Sequence, residues 1–371
     1  MPSAHRVMHV FGSLDRGGAE SMIMSLYRNI DRKQLQFDFA VNDSDREYAY
    51  EQEIQQLGGR VYRLPALSLK NINKYKAAWS DLLEHQPAWK IIHIHHTSTA
   101  PVSIPIAKKA GRTTIAHSHT AGSDGSLKSR LKIASRYPVR HLADHLLACS
   151  APSAQWMFGS KSKDTVVLNN AIDVESFLPD KTVRERVRAE MGFGTGQKVI
   201  GHVGRFMEVK NHTFMLDVLR ALVKKDPEVA MVLVGDGPLK TQIQEQAERM
   251  GVADNVVFTG VRSDISDLMQ AMDAFIFPSL HEGLPVTLIE AQASGLSCLV
   301  ADMVSQDVKL TDCIEFMSLN ASAYRWAERL LEMCAQGKRP DNRHELSAAG
   351  YDVKDNARWL ENFYQKITES A

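Results

Sequence analysis

A chain of 371 residues, 44% apolar and 24% charged, is too long for one ordinary core and suits two domains. No run approaches the roughly 20 apolar residues that cross a bilayer, and Met1 to Gly12 lacks the basic and apolar regions of a secretory leader. The four cysteines, Cys149, Cys298, Cys313 and Cys334, form no CxxC pair; they read as buried thiols of a reducing compartment, so a cytoplasmic location is expected.

In chain order, short β-rich runs alternate with helical stretches, the pattern of parallel α/β sheets. Strands are expected at Arg6–Phe11, Phe37–Val41, Arg60–Leu64, Ile91–His95, Thr113–His117, His145–Cys149 and Thr165–Leu168. Helices such as Ala19–Ile30, Glu47–Leu57 and Lys74–His85 fall between them. A turn-rich segment, Asn169–Lys181, interrupts the series. It then restarts with strands at Lys198–Val203, Ala230–Val234, Val256–Thr259, Ala274–Phe277 and Cys298–Ala301. Helices Asn211–Lys225, Lys240–Met250, Ile265–Met272 and Val286–Ser294 lie between these strands. Two Rossmann-like lobes are therefore predicted, residues 1–178 and 179–351, facing each other across a cleft. A last helix within residues 352–371, carrying Trp359, Phe363 and Tyr364, could cross back to the first lobe.

Net charge is zero, but between Pro105 and His145 eight basic residues face two acids. Lys128, Lys132, Arg136 and Arg140 recur every four residues, with Arg130 beside them, so a helix there would carry a cationic stripe. Such a stripe suits an anionic membrane surface or serves as a solvated face. No recognisable nucleic-acid-binding module accompanies it, so nucleic acid is not an expected partner.

The strongest chemical signal is Phe277 to Ala291, a strand, a tight loop and a helix primed by Pro285. Glu282 stands in the loop and Glu290 in the helix. The amides near Val286 and Thr287 would meet an anion or sugar hydroxyls. The loop Gly204-Arg205 to Lys210-Asn211 follows an earlier strand and offers a guanidinium and an ammonium for a diphosphate. Gly235-Asp236-Gly237-Pro238 is a glycine turn of low specificity. Gly12 to Glu20 follows the first strand, and its Gly17-Gly18 pair would let backbone amides approach a phosphate. The spacing there is neither GxGxxG nor that of a P-loop, which argues against a dinucleotide-dependent dehydrogenase and a P-loop enzyme. Histidines cluster at His93, His95, His96, His117 and His119 without the spacing of a zinc motif. No metal site is expected; His119 is the functional candidate and the other four are read as structural.

Together these segments resemble glycosyltransferase family 4, retaining enzymes of the two-lobed GT-B fold. The matching residues are Gly17-Gly18-Ala19-Glu20, His117-Ser118-His119, Asn170-Ala171-Ile172-Asp173, Gly204-Arg205 with Lys210-Asn211, Gly235 to Pro238, and Glu282 to Glu290. Ala116 to His119 and Val300-Ala301-Asp302 further resemble bacterial transferases of exopolysaccharide or capsule assembly.

The resemblance implies a hexosyl or related transferase that needs neither metal nor cofactor. Its donor would be a nucleoside diphosphate sugar, UDP- or GDP-linked with UDP favoured, and its acceptor a glycan or a lipid-linked sugar. Arg205, Lys210, Glu282 and His119 would form the catalytic set. Gly17, Gly18, Gly283, Leu284, Pro285, Val286, Thr287 and Glu290 would complete the donor site, with the base near Val261 and Arg262. An epimerase of the same fold, or a non-catalytic nucleotide-sugar-binding regulator, are the alternatives. The chain departs from the family pattern at Ala171 of the linker, at Val304-Ser305-Gln306-Asp307 and at Gly295-Leu296-Ser297.

Overall fold

The computed structural model describes residues 4–43, 46–120, 138–282 and 284–370. They form two compact units, residues 1–171 with 353–371 and residues 172–352.

The first unit is built on a parallel sheet of seven strands in the order β3-β2-β1-β4-β5-β6-β7. The strands are β1 His5–Val10, β2 Leu35–Asn42, β3 Val61–Leu64, β4 Trp89–Ile94, β5 Thr113–Ser118, β6 His145–Ala148 and β7 Val166–Val167. Inner strands β2 and β4 are buried almost throughout, as expected where helices cover both faces of a parallel sheet. The helix Ala100–Lys109 starts on Pro101 and accommodates Pro105 within it.

The final helix, Val353–Ser370, belongs to this unit. Its buried residues Val353, Ala357, Leu360, Tyr364 and Ile367 recur every three or four positions and join the core beside Phe37, Ile91 and Ile115. Burying each large apolar side chain contributes about 1.5–3 kcal/mol. Trp359 and Phe363 are partly buried against the same core.

The second unit carries six parallel strands in the order β10-β9-β8-β11-β12-β13. These are β8 Val199–Val203, β9 Ala230–Val234, β10 Val256–Gly260, β11 Ala274–Phe277, β12 Ser297–Ala301 and β13 Ile314–Met317. Strands β8, β9 and β11 are buried at every position. Strand β13 was not expected. Its run Ile-Glu-Phe-Met is short and buried only at Ile314, and among the described residues it pairs with β12 alone, while Glu315 ion-pairs Arg329 at 2.7 Å.

The boundary between units falls seven residues earlier than the 178/179 expected from turn composition. Ile172 bridges to Asp352, and Val174, fully buried, lies in the second core. The segment read as linker thus already packs as part of the second unit. All four cysteines are free; Cys298 and Cys313 are buried, while Cys149 and Cys334 are only partly so. Among the described residues no helix is long and apolar enough to cross a membrane.

Candidate active site

In an open parallel sheet, ligands bind beyond the carboxyl ends of the strands where the strand order reverses. In the second unit that point lies at β8 and β11. The loop after β8 carries Arg205 and Lys210, and the loop after β11 carries Glu282. Leu280 N–H donates to Val209 O at 2.8 Å, and Asn211 Nδ2 donates to Pro278 O at 3.2 Å, so the loops are tied to each other. Asn211 adopts the left-handed conformation, φ 57°, where an Asn is tolerated better than most residues. That turn lets the helix His212–Val223 begin directly after Lys210.

Lys210 Nζ lies 2.9 Å from Glu282 Oε1 and 4.6 Å from the centroid of the Phe277 ring. Both charged side chains are largely shielded, 15% and 23% exposed, so their attraction is screened less than that of a surface pair. Glu282 is held from the other side as well: its backbone bridges to Val304 in the loop after β12. The departure from the family pattern at Val304 therefore touches the site through backbone geometry. Arg205 is exposed, and among the described residues no carboxylate pairs with it.

Arg205 lines a cavity of about 680 Å³ with Gly204, Asp236, Val261, Arg262 and Ile265. The glycine turn after β9 makes this space possible. Gly235 and Gly237 have φ of +137° and +157°, and a Cβ on either would lie 2.2 or 2.5 Å from the carbonyl oxygen of Gly204 or Phe206. Only glycine permits that approach. Sequence reading gave this turn little weight, since its role depends on the neighbouring loop. Arg262 is held by Asp264 at 2.6 and 2.8 Å, while Val261 is 71% exposed beside the cavity.

The helix Val286–Ala293 starts after Pro285. Leu284 and Val286 pack on the core, whereas Ser279 Oγ and Thr287 Oγ1 are buried without a hydrogen-bond partner among the described residues. Orphaned buried hydroxyls are uncommon in native folds, and these two flank the Glu282 loop. Burial pushes the Glu290 carboxyl up to about 7. Gly283 lies outside the described residues, as do Lys128, Arg130, Lys132 and Arg136.

The first unit supplies a separate set. Gly17 precedes the helix Gly18–Asn29, whose Ser21 N–H donates to Gly17 O at 2.8 Å. Glu20 folds its carboxyl over Gly17, and burial raises that carboxyl above its usual range. His119 stands just beyond β5. Its Nε2 is 2.8 Å from His95 Nδ1. The histidine cluster differs in membership from the sequence reading. His96 turns aside to Ser98 Oγ at 2.8 Å, and His9 joins through His95 Nε2 at 3.0 Å. His9 is far upstream in sequence, and only the pairing of β1 with β4, which sets it opposite His93, brings it in.

Residues 16–176 match the family described as Glycosyltransferase Family 4, and residues 183–352 match Glycosyl transferases group 1. Over 377 aligned positions the chain is 34% identical to EpsF of Bacillus subtilis (strain 168), itself only provisionally named a glycosyltransferase, covering 99% of this chain and 98% of that one. The chain belongs to glycosyltransferase family 4. A second relative is the Escherichia coli UDP-Gal:alpha-D-GlcNAc-diphosphoundecaprenol alpha-1,3-galactosyltransferase, 29% identical over 37% of this chain and 36% of its own.

Among solved structures, Anabaena Alr3699/HepE in complex with UDP and glucose aligns with a TM-score of 0.75 at 17% identity, covering 97% of this chain and 99% of that one. A glycosyltransferase from Rickettsia africae aligns at 0.76 and 14% identity over the whole of both chains. The two Rossmann-like units are those of a GT-B glycosyltransferase.

Proposed function

We propose that this family 4 enzyme transfers a sugar, with retention of configuration, from a nucleoside diphosphate sugar to a glycan or lipid-linked acceptor in cell-surface polysaccharide synthesis. The observation that carries the reading is the Lys210–Glu282 pair with Arg205 at the β8/β11 reversal, beside the cavity bounded by Val261 and Arg262. UDP is the favoured carrier: a relative named for UDP-Gal and a similar fold bound to UDP and glucose support it. The cytoplasm is the proposed location, since that is where nucleotide sugars are expected to be available.

In this reading Arg205 and Lys210 neutralise the diphosphate as the bond from the sugar C1 to its oxygen breaks. The acceptor oxygen bonds to C1 on the same face, and its proton passes to an oxygen of the departing diphosphate. Glu282 orients Lys210 and meets the transferred sugar, while Glu290 accepts from the ribose. The protein's contribution is charge stabilisation and positioning, made before the reaction begins. A panel of nucleotide sugars tested for a rise in melting temperature would identify the donor, since a ligand that binds only the folded state stabilises it. No shift with any UDP- or GDP-sugar would remove the donor assignment.

Because two protein cations take the part a divalent ion plays elsewhere, turnover is expected to persist in excess EDTA. Complete loss, restored by magnesium or manganese, would contradict this.

The basic stretch is proposed to meet anionic lipid, each basic residue near the surface contributing about 1 kcal/mol. The protein should co-sediment with phosphatidylglycerol vesicles at low salt, and little with phosphatidylcholine. Changing Lys128, Lys132 and Arg136 together to Gln should abolish this while preserving donor binding. Arg140 is left in place because its Nε donates to His141 Nε2 at 3.1 Å. Equal sedimentation of wild type and variant would remove the membrane reading.

A further inference from the structure

Five imidazoles and one phenol on one face of the first sheet form two hydrogen-bonded strings. In one, His9 Nδ1 lies 3.0 Å from His95 Nε2, and His95 Nδ1 lies 2.8 Å from His119 Nε2. In the other, Tyr364 Oη lies 2.5 Å from His93 Nδ1, and His93 Nε2 lies 3.2 Å from His117 Nδ1. The strings stack on each other, with His93 over His95 at 4.3 Å and His117 over His119 at 4.2 Å between centroids.

The rings of the first string point at each other. His9 and His95 have centroids 5.3 Å apart, and His95 and His119 5.0 Å apart. Once the N···N distances are taken away, what is left is the sum of the two ring radii, the most that geometry allows. A lone pair therefore faces an N–H along nearly one line. Coordination would instead need lone pairs converging on an ion about 2.0–2.1 Å from each nitrogen. Along the string the geometry is that of a hydrogen-bond chain, while across the two strings His9, His93 and His95, and His95, His117 and His119, each bring ring nitrogens within 4.8 Å of one another.

A neutral imidazole has one N–H and one lone pair, so three in series can only be polarised as a whole. In one polarity the outermost proton sits on His9 Nε2; in the other it sits on His119 Nδ1. Both atoms are out of contact with solvent and have no partner among the described residues. His9 is fully buried with its ring 4.2 Å from that of Phe37, where a ligand has no access. His119 stands at the carboxyl edge of the sheet, where ligands bind. An orphaned N–H is rarer in native interiors than an unused acceptor, so the polarity that leaves only a lone pair at His9 is favoured.

We propose that His9 and His95 are positioning residues that hold His119 as the Nδ1–H tautomer, a neutral donor to an oxygen of the bound substrate. This rests on the reading that His119 meets substrate. The second string joins Tyr364, His93 and His117 beside it, and the contacts leave its polarity open, since His117 Nε2 is buried without a partner among the described residues. Among the described residues the titratable groups facing one another here are these five histidines and Tyr364. Burial pushes His9 and His119 down to about 3, and burial with the neighbouring imidazoles pushes His93, His95 and His117 well below their ordinary value. Charge is thus kept off the chain, and His119 serves as a donor without acting as a general acid or base.

The test uses the full chain with ¹⁵N-labelled histidine and UDP-sugar turnover. In wild type, the His119 ring is expected to carry its proton on Nδ1 and to stay neutral from pH 5.5 to 8.5. H95F should scramble that tautomer and lower kcat about tenfold with a smaller change in KM. H95N, whose amide can accept from His9 and donate to His119, should restore both. Wild-type His119 protonated on Nε2, or titrating in that range, would overturn the proposal even if H95F fails to fold. A loss of turnover in H119A with none in H95F would remove the string's role and leave that of His119. Wild-type turnover in H119A would instead remove the substrate contact, and the proposal with it. An intense visible band on adding cobalt(II), absent in H95F, would replace the hydrogen-bond chain with a metal site.

Discussion

Replacing Arg205 or Lys210 by alanine is expected to lower turnover roughly 10²-fold or more, the loss typical when a charge partner of the transition state is removed. The fold should survive both changes. Arg205 is exposed and pairs with no carboxylate among the described residues, so its loss leaves nothing buried and unsatisfied. Lys210 leaves Glu282 without its partner, but that carboxylate is 23% exposed and can be hydrated. The Lys210 ammonium also sits 4.6 Å from the Phe277 ring centroid, so a cation–π contact is lost with it. Steady-state rates beside circular dichroism melting curves separate catalysis from folding. Arg205→Lys should recover only part of the rate, because an ammonium lacks the guanidinium's fork. Near-normal turnover in both alanine variants would sink the assignment of the clamp.

Donor affinity is expected to rise with pH between 5 and about 7 and then level off. Burial holds the free enzyme's Glu290 carboxyl up at about 7, whereas accepting from a ribose diol favours the carboxylate. Binding therefore releases a proton below that pH, and the dissociation constant should fall up to tenfold per unit until Glu290 is ionised. A UDP-sugar suits the measurement, since its diester phosphates do not titrate in this range. Glu290→Gln should flatten the profile and weaken donor binding by about 1.5–3 kcal/mol, the worth of a hydrogen bond to a charged group. Calorimetry at several pH values decides it. A pH-independent wild-type affinity, or a variant that binds equally well, would move Glu290 out of the donor site.

The sequence by itself determined the two strand-helix series, because central strands of a parallel sheet are buried on both faces and read as unbroken apolar runs. Ala230 to Val234 and Ala274 to Phe277 were legible for that reason, and both are buried throughout. The Glu282–Glu290 segment and the Arg205–Lys210 loop were also readable, since each is a local strand-loop-helix unit whose chemistry lies within a few residues. Edge strand β13 was not, because its four residues are interrupted by Glu315 and buried only at Ile314, which leaves no unbroken apolar run.

What only the tertiary structure decided depends on contacts between segments distant in the chain. The close approach of Gly235 and Gly237 to Gly204 and Phe206 makes a weak glycine turn into a cavity wall. The end of the first unit at Ala171 is set by where Val174 is buried, not by turn composition. His9 reaches His95 and His119 only because β1 lies beside β4 and β4 beside β5. Periodicity reports which face a side chain takes, whereas the partner it meets there depends on strand order, which no local pattern encodes.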